Sequence, residues 1–574
     1  MESISVRIGG ANGDGIDSAG IMLARIFKRL GYWIFAFRGY QSVIRGGVVW
    51  HQVRLSNEKL YTYGNEIDVL VALTKEAIEE SISHVRKGGF LIYDSSLPKV
   101  QESNEINILP IPITELAIKA GGSIYRNTVA IGAVCKLLGI DSNLAKDVLL
   151  ARFKKNPAVL ESNSKAFDLG YSSLGDGKRS IIKLPKPGNA GKYLLNGNTA
   201  LAIGAYAAGC KFYAAYPMTP ASSIMEWFAK YEGLGVFFKQ TEDEIAAINM
   251  VIGASSAGVR AMCGTSGGGF SLMVEALGLA GMIEVPIVVV ESQRTGPSTG
   301  LPTKTEQGDL LFVTHASQGD FPRIVLAPRN IEECFYLGAQ AFNLAEKYQC
   351  PVIILLDLFL SEHVESVDID PSKINIDRGK IQKEPIKDFK RYQITEDGIS
   401  PRSIPGTKGL AFVAASDEHD EYGNLISDVL VGLPEYAELR KKMHEKRLRK
   451  LETMLKNNDI ELPMVMNEGA DIFIVTFGSS TESSIEALEL LKERGINAGL
   501  IAFSYLHPMD GEKIKKILEG KRLVDVECNA TGQLAKLIAM NTGIIIKDKV
   551  LRYDGEAITS KEIADGVEKY YRGV

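Results

Sequence analysis

One stretch limits the choice of fold more than any other: Asp68-Val69-Leu70-Val71-Ala72-Leu73, apolar at every position after the first. A surface strand alternates apolar with polar residues, and a buried helix needs roughly twice this length. The run within Ile67–Leu73 therefore reads as a strand covered on both faces. Related runs recur along the chain, at Ser5-Val6-Arg7-Ile8, Phe90–Tyr93, Lys211–Ala215, Val236–Lys239, Val259–Cys263, Pro286–Glu291, Arg323–Ala327, Pro351–Leu356 and Asp471–Val475. Segments of helical spacing separate them, among them Asp17–Leu30, Thr199–Ala208 and Thr241–Ala257. Repeated βα units predict a multidomain α/β chain of doubly wound parallel sheets, with sites at the carboxyl ends of the strands.

At 574 residues the chain has room for about three or four such domains. Pro185-Lys186-Pro187-Gly188-Asn189-Ala190-Gly191 is the clearest break in the first half. Residues from about 360 to 465 show little periodicity until a charged helix near Pro434–Lys456, and read as an extended connection around a domain or a partner. With 65 basic and 70 acidic residues the net charge is −5, and no basic run favours nucleic acid or an anionic membrane. The opening Met1-Glu2-Ser3-Ile4-Ser5 lacks the charged and apolar regions of a secretory signal, and no run of about 18 apolar residues would span a bilayer, so a cytoplasmic location is expected. No two of the six cysteines lie within four positions, and the seven histidines are dispersed, so no metal or iron–sulfur site is expected from this chain alone.

Four segments carry candidate chemistry, each at the end of an expected strand. The first is Tyr216-Pro217-Met218-Thr219-Pro220, in which Thr219 could simply cap a helix with Pro220 in its first position. The second, Gln240-Thr241-Glu242-Asp243-Glu244, opens a helix, and Thr241-x-x-Glu244 has the spacing of a capping box. The others are Gly264-Thr265-Ser266-Gly267-Gly268-Gly269 and Glu291-Ser292-Gln293-Arg294-Thr295-Gly296-Pro297-Ser298-Thr299-Gly300. Their convergence on one sheet edge favours a site over four unrelated turns.

Together these four segments resemble the α subunit of 2-oxoacid:ferredoxin oxidoreductases, with Met218 in place of the commoner Ile. Glu418-His419-Asp420-Glu421-Tyr422-Gly423-Asn424 and Glu527-x-Asn529-x-x-Gly532-Gln533-Leu534 extend the likeness. Arg7-Ile8-Gly9-Gly10, Gly13-x-Gly15 and Ile44-Arg45-Gly46-Gly47 are similar to the family's γ component, so the chain looks like a γ–α fusion. The resemblance implies a γ domain over 1–184, a linker at 185–197, and a thiamine-diphosphate pyrimidine-binding domain at 198–375. A connecting segment at 376–467 and a transketolase C-terminal-like domain at 468–574 would complete it. It implies that Glu244 bonds N1′ of the aminopyrimidine, with Glu242 as rival. Thr219 would bond the substrate or the reacting ring, and Arg294 would pair with the 2-oxoacid carboxylate. Tyr216, Pro217, Met218, Pro220, Thr265, Ser266 and Gly267 would complete the cofactor site.

A Gly-Asp-Gly followed at about 25–30 residues by paired asparagines usually holds the Mg²⁺-diphosphate in thiamine enzymes. Neither Gly13-Asp14-Gly15 nor Gly175-Asp176-Gly177 has that sequel. The resemblance therefore implies a β subunit bearing Mg²⁺, the diphosphate site and a [4Fe–4S] cluster, in an αβ or (αβ)₂ assembly that uses coenzyme A and ferredoxin. The expected reaction is oxidative decarboxylation of 2-oxoacids such as pyruvate or 2-oxoglutarate to acyl-CoA and CO₂. An indolepyruvate enzyme, a non-catalytic scaffold subunit and a nicotinamide dehydrogenase using the first glycine loop are the other readings. The last is weakened because Ser18 takes the place of a third glycine and Phe35-Ala36-Phe37-Arg38 carries no acidic residue.

Overall fold

The computed structural model describes residues 2–41, 46–101, 104–175, 182–188 and 190–573, so Ile44-Arg45, Asp176-Gly177 and Asn189 lie outside the described residues. The chain divides into two compact units: residues 1–195 with 362–368, and residues 196–361 with 369–574.

The first unit is built on an eight-stranded sheet. Its order is Asn107–Ile111, Val85–Asp94, Ile67–Ala72, Ser3–Asn12, Gly46–Ser56, Trp33–Gly39, Val364–Val367 and Tyr193–Asn196. Ile67–Ala72 is buried at all six positions, as its composition requires. The helix Ile16–Arg29 buries Ile16, Ala19, Met22, Leu23, Ile26 and Phe27 on one face. At about 1.5–3 kcal/mol for each large apolar side chain, that stripe suffices to fix the helix on the sheet.

This sheet is mixed, not wholly parallel. Gly46–Ser56 runs antiparallel to both Ser3–Asn12 and Trp33–Gly39, and lies between them. The strand that follows the glycine-loop helix is thus not beside the strand that precedes it, which removes the adjacent parallel pair of a dinucleotide-binding unit. Gly13 and Gly15 have φ of 92° and 77°, and Gly15 is the N-cap of the helix. The Asp14 carbonyl accepts from Asn127 Nδ2 at 2.6 Å, and its carboxylate pairs with Arg126 at 3.0 Å. Much of this loop is therefore held by its own unit.

The expected boundaries need two corrections. Tyr193–Asn196 is a strand of the first sheet, and Val364–Val367, expected inside the second domain, pairs antiparallel with Trp33–Gly39. Hydrogen bonding to a distant strand decides such membership, and local pattern carries no trace of it.

The second unit holds two sheets. One has the order Tyr505–His507, Ile324–Leu326, Val352–Asp357, Val288–Gln293, Ala261–Thr265, Phe212–Ala215 and Phe237–Gln240. All its strands are parallel except the edge Tyr505–His507. The other runs Met464–Met466, Ala498–Phe503, Ile472–Phe477, Leu523–Glu527 and Asp548–Leu551, antiparallel only at Met464–Met466.

Between these sheets in sequence lies the connecting segment, largely irregular up to the helix Pro434–Lys456. Buried charge pins it in place of apolar periodicity. Glu284, fully buried, meets Lys446 at 2.5 Å and Lys450 at 2.6 Å, one helical turn apart, while Arg391 donates to its carbonyl at 2.8 Å. Glu346 likewise receives Arg260, Arg378 and Arg402 at 2.7–2.9 Å. The motif Glu418–Asn424 serves the same anchoring: Glu418 pairs with Arg447 at 2.8 Å, and Asp420 accepts from the Tyr422 and Asn424 amides at 2.9 Å. Among the described residues no helix is long and apolar enough to cross a membrane.

Candidate functional site

Four neighbouring parallel strands, Phe237–Gln240, Phe212–Ala215, Ala261–Thr265 and Val288–Gln293, bring the four sequence segments to one edge of the seven-stranded sheet. Tyr216 is exposed, Pro217, Met218 and Thr219 are half-buried, and Pro220 is buried. The Thr219–Pro220 peptide is cis, and the next helix begins only at Ser222 with Ala221 as its N-cap. Thr219 therefore caps nothing. Its carbonyl instead accepts from Arg294 Nη1 at 2.9 Å, which ties the first segment to the fourth.

The capping-box alternative for Glu244 fails as well. Asp243 is the N-cap and accepts from the Ala246 amide at 2.8 Å, while Thr241 Oγ1 donates to the Asp243 carbonyl. With the cap supplied by its neighbour, Glu244 is the first helical residue and is only 3% exposed. Its Oε1 is sealed from solvent without a hydrogen-bond partner. Burial pushes the carboxyl above its usual range, against the pull of its own amide and of the Thr265 hydroxyl. That hydroxyl is aimed elsewhere, at Ser266 O (3.4 Å) and Met218 Sδ (3.8 Å). Glu242, by contrast, is exposed.

Ser266, Gly267, Gly268 and Gly269 open the 16-residue helix Gly267–Met282. Ser266 stands at the N-cap without a side-chain capping bond, and its Oγ is buried and unpartnered. Gly269 is needed for space: a Cβ there would lie 2.1 Å from Thr265 Oγ1 and 2.4 Å from Glu244 Oε1. Gly269→Ala is accordingly expected to displace the Glu244 carboxylate and to weaken binding of the thiamine diphosphate that the sequence resemblance implies by about tenfold or more, a loss on the scale of one charge-assisted hydrogen bond. Calorimetric titration of the variant checks this; an unaltered affinity would mean that Glu244 does not face the ligand.

Before Arg294 the strand end is almost wholly satisfied. Ser292 and Ser361 share a hydrogen bond of 2.6 Å, and Gln293 accepts from the Asp309 amide and donates to the Leu356 carbonyl at 2.9 and 3.0 Å. Glu291 alone has no N–H or O–H donor on either oxygen. No local sequence pattern marks Asp309 as a partner of this strand end.

The second sheet docks on this edge through Gln307, which donates to Phe477 O at 3.0 Å and accepts from Ser480 Oγ and Cys528 N at 2.7 and 2.9 Å. The motif beginning at Glu527 supports that docking. Glu527 accepts the amides of Gln533, Leu534 and Ala535 at a helix start, and Gln533 in turn accepts the Leu311 amide at 2.9 Å.

A partnerless buried carboxylate, an uncapped helix N-terminus and a guanidinium at adjoining strand ends of a parallel sheet make this an α/β cofactor-binding protein. Residues 203–436 match the thiamine-diphosphate-binding domain of pyruvate flavodoxin/ferredoxin oxidoreductases, residues 5–173 the pyruvate ferredoxin/flavodoxin oxidoreductase domain, and residues 464–539 the transketolase C-terminal domain. An Aeropyrum pernix protein, 2-oxoacid:ferredoxin oxidoreductase 2, subunit alpha, is 32% identical over 99% of this chain and 98% of its own. The Saccharolobus solfataricus 2-oxoacid:ferredoxin oxidoreductase subunit alpha is 33% identical over 98% and 97%. The solved 2-oxoglutarate:ferredoxin oxidoreductase from Magnetococcus marinus, with 2-oxoglutarate, coenzyme A and succinyl-CoA bound, superposes with a TM-score of 0.91 at 33% identity, covering 99% of both chains. This chain belongs to the 2-oxoacid:ferredoxin oxidoreductase family, as an alpha subunit.

Proposed function

We propose that this chain supplies the pyrimidine half of a thiamine-diphosphate site in a cytoplasmic enzyme that converts a 2-oxoacid, coenzyme A and oxidised ferredoxin into acyl-CoA, CO₂ and reduced ferredoxin. The observation that carries the reading is Glu244 Oε1, buried without a partner and relieved of capping duty by Asp243. Such a group costs stability unless a ligand completes it. The aminopyrimidine of thiamine fits that need, because its N1′ would hold the proton that the Glu244 carboxylate lacks a donor for. When bound, the cofactor supplies the nucleophilic carbon and the electron sink for decarboxylation.

The remaining roles belong to the same proposal. Thr265, Ser266 and Gly267 offer a buried hydroxyl pair and open amides beside Glu244, and Tyr216, Pro217, Met218 and Pro220 form the adjoining wall. Thr219 and Arg294, already bonded to each other, stand at the mouth, where a planar guanidinium suits a carboxylate. The order of regions along the chain is a γ-type region, a pyrimidine-binding region, a connecting segment and a transketolase-like region.

A separate β subunit would carry the Mg²⁺-diphosphate site and a [4Fe–4S] cluster, pairing as αβ or (αβ)₂. Tyr216, Ile245 and Leu272 support this: adjoining the site residues in sequence, they leave 41–50% of their surface exposed, and a second chain closing on that edge would bury them. Reconstitution with a cysteine-rich β chain tests the proposal. Ferredoxin reduction should appear with pyruvate, 2-oxoglutarate or indolepyruvate only when both chains, thiamine diphosphate and coenzyme A are present. Reduction by this chain alone, or without thiamine diphosphate, would sink it.

A further inference from the structure

Glu291 is fully buried at the end of Val288–Gln293, three residues before Arg294, and neither carboxyl oxygen meets an N–H or O–H donor. What it does meet is a second carboxyl group: Glu291 and Asp309 are within hydrogen-bonding reach of each other. Two buried carboxyl groups so placed repel each other when both are ionised, and a proton between them removes that repulsion. Asp309 is held through its backbone and lies against the glycine helix start. Its amide donates to Gln293 at 2.9 Å, and its Oδ2 lies 2.9 Å from where a Cβ on Gly267 would stand, at the open N-terminus of Gly267–Met282. The helix end favours the negative charge on Asp309, which leaves the proton on Glu291, deep in the sheet.

We propose that Glu291 and Asp309 share a single proton, and that this keeps Glu291 uncharged beside Arg294, leaving the guanidinium free to take the carboxylate of a 2-oxoacid. The inference rests on the reading of Arg294 given above. Glu291 and Arg294 feel each other's charge directly. An ionised Glu291 would be a built-in competitor for the substrate carboxylate. The pair is thus a positioning device, acting through Arg294.

The other charged groups around it agree. Asp357 on the neighbouring strand faces Glu291, and Glu306 on the following loop faces Asp309; both repel further negative charge. Burial and these neighbours push Glu291 well above the usual carboxyl range, and burial raises Asp309 to about 6. At mildly alkaline pH the pair accordingly holds one proton.

Infrared difference spectroscopy and steady-state kinetics on the reconstituted complex test the proposal. At mildly alkaline pH, wild-type minus Glu291→Gln should show the carbonyl stretch of one protonated carboxyl group. Asp309→Asn removes a repelling charge and offers Glu291 an N–H, which lowers the cost of ionising Glu291 and lets it compete for Arg294. KM for the 2-oxoacid should then rise about tenfold with kcat little changed, the effect of removing one charge-assisted hydrogen bond to the substrate. Adding Glu291→Gln to that variant should return KM toward the wild-type value, since an amide cannot ionise; a merely structural role would give no such rescue. Absence of the protonated-carboxyl band overturns the proposal, and so does a KM indifferent to Asp309→Asn. If Arg294→Gln leaves KM unchanged while the band is present, the failure lies in the reading of Arg294 and not in the shared proton.

Discussion

Glu244→Gln is expected to lower the rate of 2-oxoacid oxidation by the reconstituted enzyme by about 10²–10⁴-fold while leaving the chain folded and able to bind its partner. Glutamine keeps the shape and can still accept a hydrogen bond, but it cannot carry the charge that balances a protonated ring nitrogen. The same substitution should stabilise the free chain. In the fold the Glu244 carboxyl titrates above its ordinary range because it is buried. Folding therefore opposes its ionisation, and the protein loses stability as pH rises from the ordinary glutamate range, about 4.3, through the raised value. Glutamine is immune to that loss. The difference in melting temperature between variant and wild type should consequently widen from acidic toward neutral pH. A variant that is more stable but inactive identifies a group strained for function. Full activity in Glu244→Gln would instead mean that the chain is a scaffold.

Glu284→Ala should have the largest effect on stability, a loss of about 3–5 kcal/mol, because it leaves the Lys446 and Lys450 ammonium groups in the interior without their counter-charge. Both lysine side chains are fully buried, so neither can escape to water. The two ammonium groups hold the Glu284 carboxyl well below its usual range despite the cost of burial. Its contribution is therefore complete above the ordinary glutamate range and fades only as pH falls far below it, so the gap between wild type and Glu284→Ala should shrink on acidification. Urea unfolding at several pH values measures this. Replacing the whole trio, Glu284→Met with Lys446→Met and Lys450→Leu, should recover much of the loss, because it removes the desolvation cost together with the attraction. A single Glu284→Ala as stable as wild type would show that the connecting segment is held by other means.

Much of the architecture was legible because local patterns carry it. Parallel strands buried on both faces announce themselves as apolar runs, and Ile67–Ala72 and Val352–Asp357 fell where composition placed them. The helix Pro434–Lys456 was legible from its long charged surface. The site segments were legible for a related reason: strand, polar or glycine-rich turn, helix is a pattern of neighbours in sequence. Both capping alternatives were equally consistent with that pattern. Only the fold showed that Asp243 takes the cap and that Thr219 turns its carbonyl to Arg294.

Sequence by itself determined the class of fold and the four strand-end segments. Tertiary structure alone decided that Val364–Val367 joins the first sheet, that Gln307 joins the second unit's two sheets, and that Glu291 meets Asp309. The physical reason is common to all three. Burial, hydrogen-bond partnership and the sharing of a proton depend on groups far apart in the chain that folding brings within 3 Å or so, the range over which such bonds act. Apolar period and turn chemistry are set by residues a few positions apart, and so can be read before the chain has folded.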